Sequence, residues 1–229
     1  MEYKNIQQAK FLARPNRFIA EIEIAGKIEL CHVKNTGRCK ELLVAGATIF
    51  VEESDKKGRK TKYDLISVYK AQRLINMDSQ APNQVVEEWL KAGVLFKDIS
   101  LLRREAKYKN SRFDFYLEVG KRKIFLEVKG VTLEAEGIVS FPDAPTERGI
   151  KHLNELVECL QDGFEAYVIF LIQMEQVQYF KPNDMTHPAF GDALRAASEA
   201  GVVCLAYDCM VTSTTLTLHQ LVALQLEKE

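Results

Sequence analysis

The chain has no apolar run long enough to span a bilayer, and Met1 to Ala13 contains neither an apolar leader core nor a small-residue cleavage site. A soluble, cytoplasmic protein with no membrane partner is therefore expected. There is no C-x-x-C pair. Cys31, Cys39, Cys159, Cys204 and Cys209 are odd in number and scattered, which excludes a zinc knuckle or a redox dithiol and fits buried thiols in a reducing compartment. Positive charge is not in excess either: 31 Lys+Arg against 32 Asp+Glu give a net charge of -1, so a polyanion must be met by local patches rather than a global field. No glycine-rich phosphate loop follows a strand, and Ser111 and Ser140 lack the His and Asp partners of a hydrolase triad. His32, His187 and His219 stand alone, without ligand spacing, and read as structural. Internal repeats and low-complexity tracts are absent.

What is present is 229 residues, 47% of them hydrophobic, enough for one large core or two small ones. From Arg17 to about Met77 the rhythm is that of short strands: Arg17 to Ile24, a turn at Ala25-Gly26-Lys27, Ile28 to Val33, then Thr48 to Glu52 and Tyr63 to Tyr69, with a helical turn at Lys40 to Val44. Five or so strands in that length predict a small OB-like β-barrel. Gln80-Ala81-Pro82-Asn83 ends the pattern, with Asn83 placed to cap a helix through Val85, Val86, Trp89 and Leu90. This divides the chain into an OB-like domain, 1–82, and a second domain, 83–229. The second part reads as helix, three strands (Ile99 to Tyr108, Arg112 to Leu117, Lys123 to Val128), helix (Glu147 to Leu160), strand (Ala166 to Ile172), helix (Phe190 to Ala200) and strand (Val202 to Ala206), a mixed α/β sheet flanked by helices.

Two of those strands carry the chemistry. Alternation places Phe113, Phe115 and Leu117 on one face of the first, with Arg112, Asp114 and Tyr116 on the other. On the second, Ile124, Leu126 and Val128 face the core, and Phe125, Glu127 and Lys129 lie opposite. A two-residue turn with Gly120 first, type II′, sets Asp114 across from Glu127 and Arg112 across from Lys129, with opposed Cβ atoms on the order of 5 Å apart. A four-residue loop keeps that register; a three-residue loop shifts it by one. Two carboxylates so close repel unless a cation lies between them, and Mg²⁺ or Mn²⁺ with oxygen ligands suits such a site. Lys129 then stands where an ammonium helps hold a water nucleophile or stabilises charge on a phosphate. The same E-x-K pattern opposite an Asp also describes a solvated cross-strand ion cluster.

After Gly130-Val131-Thr132-Leu133, the segment Phe141-Pro142-Asp143-Ala144-Pro145-Thr146 leads into a helix capped by Asp143 or Thr146. Ile150, Leu153, Leu156, Val157 and Leu160 form its apolar stripe. Arg148 and Lys151 project from the other side, with His152 on the border. They read either as a solvated face or as phosphate contacts.

Asn35-Thr36-Gly37-Arg38, Pro82-Asn83, Ser111 to Phe115, Leu126 to Leu133 and the FPDAPTERGIKHLNEL stretch from Phe141 to Leu156 resemble, in matching order, the sugar fermentation stimulation protein A (SfsA) family. The resemblance covers Arg14 to Tyr207. It implies an OB-like N-terminal domain, a C-terminal domain similar to PD-(D/E)XK nucleases, binding of double-stranded DNA without sequence preference, and a regulatory link to sugar (maltose) metabolism. By the same resemblance Asp114 matches the metal-binding acid, Glu127 and Lys129 the E-x-K, and Glu88 the acid of the first helix, with Glu105 an auxiliary. Cys39 replaces an expected Met, and Met77-Asp78 stands where a Thr is expected before Pro82-Asn83.

For DNA, Asp55 to Lys62 offers Lys56, Lys57, Arg59, Lys60 and Lys62 against Asp55, a net of +4. Arg14, Arg17, Arg38 and Lys40 are further candidates on the barrel, as are Arg112 and Arg148 beside the carboxylates. Three functions are compatible with these residues. The first is a metal-dependent endonuclease using Glu88, Asp114 and Glu127 for metal, with Lys129 and Lys151 in catalysis. The second is a DNA-binding regulator that does not cut, and the third a metal hydrolase of a phosphorylated sugar.

Overall fold

The computed structural model describes residues 1–35, 37–55 and 58–228. The N-terminal half contains β1 (Ile6–Asn16), β2 (Ile19–Ile24), β3 (Lys27–Val33), β4 (Thr48–Glu53), β5 (Tyr63–Lys70) and β6 (Arg73–Asn76). β1 pairs antiparallel with both β2 and β4, β2 with β3, and β4 with β5. A parallel contact of β3 with β5, Cys31 to Val33 against Tyr63 to Leu65, closes the five strands into an OB barrel. Its interior holds Phe11, Ile22, Val33, Ile49, Val51, Leu65 and Val68. The Ala25-Gly26 connection has positive φ at both residues, 50° and 73°, as a two-residue type I′ hairpin turn requires.

The first strand is one that alternation does not announce. Between Ile6 and Asn16 only Ala9 and Phe11 are buried, so β1 reads as polar chain although it bridges two neighbours. The strand expected from Arg17 starts at Ile19, after a turn.

The C-terminal half contains α1 (Ala81–Lys91), β7 (Ile99–Tyr108), β8 (Ser111–Val119), β9 (Arg122–Val131), β10 (Leu133–Ala135), β11 (Ile138–Phe141) and α2 (Glu147–Gln161). It continues with β12 (Glu165–Ile172), β13 (Tyr179–Pro182), α3 (Pro188–Glu199), β14 (Val203–Val211), β15 (Leu216–Leu221) and β16 (Ala223–Leu224). The main sheet runs β15-β14-β12-β9-β8-β7, with β9, β12 and β14 mutually parallel. α1 covers one face through Val85, Val86 and Leu90; α2 and α3 cover the other through Leu153, Leu156, Phe190 and Leu194. Central strand β12 is accordingly buried from Ala166 to Ile172, a continuous apolar run. β10, β11, β13 and β16 form a separate small sheet too short to carry a sequence signal.

Helix α1 begins two residues before the expected cap. Gln80 precedes it without a side-chain bond, Pro82 sits in its first turn, and Asn83 lies inside the helix with its side chain committed elsewhere. Thr146, not Asp143, caps α2, accepting from the Gly149 amide at 3.0 Å. Asp143 instead lies against Gly37, where an added Cβ would collide with its carboxylate.

The two halves are tied by buried polar bonds. Gln173 Nε2 donates to the carbonyls of Asn76 and Asp78 at 3.2 and 3.1 Å and to Asn76 Oδ1 at 2.9 Å. Glu134, 6% exposed, accepts from Lys70 at 2.7 Å, Arg73 at 2.6 Å and the Gly137 amide at 2.6 Å. No helix among the described residues is long and apolar enough to cross a membrane.

Candidate metal centre and basic groove

The hairpin joining β8 to β9 turns at Gly120, φ 59°, while Lys121 keeps an ordinary φ, as in a type II′ turn. The ladder runs from Val119 opposite Arg122 to Phe115 opposite Leu126 in the expected register. There it stops. Asp114 does not continue the backbone pairing; its Oδ2 accepts the Val128 amide at 2.8 Å, a carboxylate filling the place of a strand carbonyl.

Alternation breaks at the same residue. Phe115 and Leu117 pack under α1, but Phe113 packs on the opposite face with Tyr108, Phe125 and His152, not with Phe115 as expected. On the neighbouring strand Glu105 holds a positive φ of 51°, and the β7 to β8 partners pass from Arg104 opposite Phe115 to Ala106 opposite Phe113 without pairing Glu105. A left-handed non-glycine inside a strand is strained, and it lies beside the acid. Arg112 is likewise not set across from Lys129; it pairs with Lys107 on the other side.

Glu127 lies on a strand buried on both faces and is itself 3% exposed. Its Oε1 accepts from Lys129 Nζ at 2.6 Å and from His152 Nδ1 at 2.5 Å. The other nitrogen of His152 accepts from Arg148 Nε at 3.3 Å, which fixes Nδ1 as the protonated one. Burial opposes ionisation of Glu127, but the Lys129 ammonium and the His152 bond outweigh it and hold its carboxyl below the ordinary range. For Asp114 burial wins. Together with the Glu127 charge it pushes the carboxyl up to about 6, against the bonds from Val128 and Asn83.

One atom of this cluster is unmatched. Glu127 Oε2 is buried and, among the described residues, accepts no hydrogen bond. A bare buried carboxylate oxygen costs about 1–3 kcal/mol or more, and a hard divalent cation is the ligand that offsets it, so the donor set fits Mg²⁺ or Mn²⁺. Glu88 is not part of this arrangement. Its Oε2 holds the Met1 ammonium at 2.7 Å and its Oε1 accepts from Gln84 at 3.1 Å. Among the described residues no group of three or more His, Cys, Asp or Glu is gathered for a metal. From α1 it is Asn83 that reaches Asp114, donating to Oδ1 at 2.7 Å.

A groove of about 570 Å³ opens on His152, lined by Lys107, Lys109, Asn110, Ser111, Arg112, Arg148 and Lys151. Among the described residues no carboxylate lines it. Lys109 is held from outside by Glu158 at 2.9 Å and Lys151 by Glu155 at 3.8 Å, while among the described residues Lys107, Arg112 and Arg148 are in no ion pair. Arg112, Arg148 and Lys151 were expected at a phosphate; Lys107 and Lys109 were not.

The basic tip of the barrel is less available than its composition suggests. Arg59 forms a two-pronged pair with Asp64 at 2.8 and 2.5 Å, and Lys62 pairs with Glu53 at 2.9 Å. Lys60 is exposed; Lys56 and Lys57 lie outside the described residues. Arg14 is consumed in shaping the next loop, donating to the carbonyls of Arg17, Asn35, Gly37 and Arg38. Arg38 itself is exposed, as is Phe18, with the Arg17 guanidinium 4.8 Å above its ring.

His152 is the residue that sequence patterning undervalued, placed only on the border of an apolar stripe. Its spacing of four from Arg148, one helical turn, was the available signal.

The family described as "Sugar fermentation stimulation protein RE domain" matches residues 80–215, and the family described as "SfsA N-terminal OB domain" matches residues 12–77. Sugar fermentation stimulation protein homologs of Clostridium beijerinckii and Desulfitobacterium hafniense are each 58% identical to this chain, covering 97% and 99% of it and 98% and 99% of their own lengths. A solved structure titled as Pyrococcus furiosus SfsA in complex with Ca²⁺ superposes with a TM-score of 0.89 at 28% identity over 98% of each chain.

Proposed function

The chain belongs to the sugar fermentation stimulation protein family, and on that footing we propose that it binds DNA through the groove and brings a phosphodiester to a divalent-cation site on Asp114 and Glu127. The carrying observation is the continuity of groove and site through one histidine. The wall residue His152 bonds Arg148 on the groove side and Glu127 on the buried side. The Ca²⁺ named with the Pyrococcus furiosus relative supports a hard, oxygen-bound cation here as well.

A cation so held supplies Lewis-acid polarisation of a phosphate oxygen and acidification of a nearby water. The side chains divide the remaining work. Arg112, Arg148, Lys107 and Lys151 bind phosphate oxygens, which fixes the position of a duplex without reading its bases, consistent with binding that has no sequence preference. Lys129, 13% exposed and 2.6 Å from Glu127, places an ammonium where charge develops on the attacked phosphate. His152 and Lys129 together fix one oxygen of Glu127, which leaves the other in a single orientation.

Incubating supercoiled plasmid with protein and Mn²⁺ or Mg²⁺ tests the hydrolytic half. Nicking by the wild type that is lost in Asp114→Ala and Lys129→Ala supports it. Identical products from all three remove it. A gel-retardation series in salt tests the binding half separately, and salt-sensitive retention without nicking identifies the non-cleaving regulator. The turning away of Glu88, which leaves two acids rather than three, is the observation that favours that second reading.

A further inference from the structure

We propose that Asn83 is the third protein ligand of the cation site, presenting its side-chain carbonyl from the first turn of α1; this rests on the metal reading above. The acids of α1 are unavailable. Both oxygens of Glu88 are occupied, by the Met1 ammonium and by Gln84. Five residues separate it from Asn83, about 140° around the helix, so the two do not share a face. Glu87, one turn on from Asn83, is held by Lys91 at 2.8 Å and Arg104 at 3.2 Å.

Asn83 reaches the site already. Its Nδ2 donates to Asp114 Oδ1 at 2.7 Å, and of the two Asp114 oxygens this is the one not tied to the backbone. Without metal, the amide N–H steadies a carboxylate crowded by Glu127. A cation on Asp114 Oδ1 reverses the requirement, because an NH₂ group aimed at it is repelled and an amide oxygen is attracted. Half a turn about the terminal torsion exchanges the two, and that torsion is soft for Asn. The resulting set is two carboxylate oxygens, including the unmatched Glu127 Oε2, and one neutral amide oxygen. Hard oxygen donors of this kind suit Mg²⁺, Mn²⁺ and Ca²⁺ and retain several waters. Having one anion fewer than a three-acid set, the site is a weak, readily exchanged one.

The test is calorimetric titration of Mn²⁺, and separately of Ca²⁺, into the metal-stripped full chain and its variants, with melting temperature in chelator as the folding control. Asn83→Ala is expected to weaken binding by about tenfold or more. Asn83→Asp separates ligand from mere hydrogen-bond donor. As a ligand it adds a charged oxygen, so Mn²⁺ binds several-fold more tightly and raises the melting temperature more than in wild type. As a donor it is lost, and binding weakens as in Asn83→Ala. The inference is overturned if Asn83→Ala binds Mn²⁺ like wild type, or if Asn83→Asp weakens binding. Wild-type binding abolished by Asp114→Ala but untouched by Asn83→Ala sinks this inference alone. No binding by wild type removes the metal reading and this inference with it.

Discussion

His152 Nδ1 donates to Glu127 Oε1 at 2.5 Å, a buried bond between α2 and β9, with both residues under 5% exposed. It gives the histidine two roles. It compensates a carboxylate that burial alone would neutralise, and it aims the other oxygen of that carboxylate away from the protein's own donors.

Removing that donor has a predictable cost. His152→Ala is expected to lose about 1–3 kcal/mol of stability in a denaturant titration, since among the described residues Glu127 is left with Lys129 alone as a side-chain donor. His152→Asn, which retains a donor on a shorter side chain, is expected to recover part of the loss. If His152→Ala unfolds at the wild-type midpoint, the bond carries no stability.

The groove predicts a graded salt response. Arg112→Ala, Arg148→Ala and Lys107→Ala should each weaken duplex binding across unrelated sequences and reduce the slope of log affinity against log salt by about 1, the release of roughly one counterion per phosphate contact. Arg59→Ala is the contrast. Its guanidinium is bound to Asp64, so its loss should lower barrel stability more than DNA affinity. Equal slopes for wild type and the groove variants would place the DNA elsewhere.

Acid should loosen the junction between barrel and sheet. Burial raises the Glu134 carboxyl, but Lys70, the Gly137 amide and Arg73 outweigh it and lower the carboxyl to about 2. A folded-state value depressed below the unfolded one means stabilisation that is complete above the ordinary carboxylate range and lost as pH falls through it toward 2. The contribution near neutrality is on the order of 2 kcal/mol. Melting temperatures of wild type and Glu134→Gln should therefore differ by a steady amount above about pH 5 and converge as pH falls from there toward about 2. A difference that stays constant with pH would show that the ion pairs do not stabilise the junction.

The sequence made some elements of this fold legible and hid others for identifiable reasons. β12 and the α2 stripe are written in long, one-sided apolar patterns. The register of β8 on β9 followed from one glycine, because a hairpin turn transmits its geometry to every pair in the ladder. β1 was hidden because edge-like polarity covers a strand with two neighbours. The break at Asp114 was hidden because alternation assumes an unbroken strand, and here the carboxylate itself interrupts the pairing. Glu88 was named from the family resemblance, and here its carboxylate is bound by the Met1 ammonium and Gln84. Asn83 and His152 were both visible in the sequence, one taken for a cap and the other for a border residue. Their partners lie 31 and 25 residues away, a separation that only the tertiary fold closes.

Diffraction from crystals soaked in Mn²⁺ reads the proposed cation site on Asp114 and Glu127 through the anomalous signal. One strong peak is expected about 2.0–2.4 Å from an Asp114 oxygen and from Glu127 Oε2, absent in Asp114→Ala crystals. An empty site at saturating Mn²⁺, with Glu127 Oε2 still unmatched, would contradict the proposal.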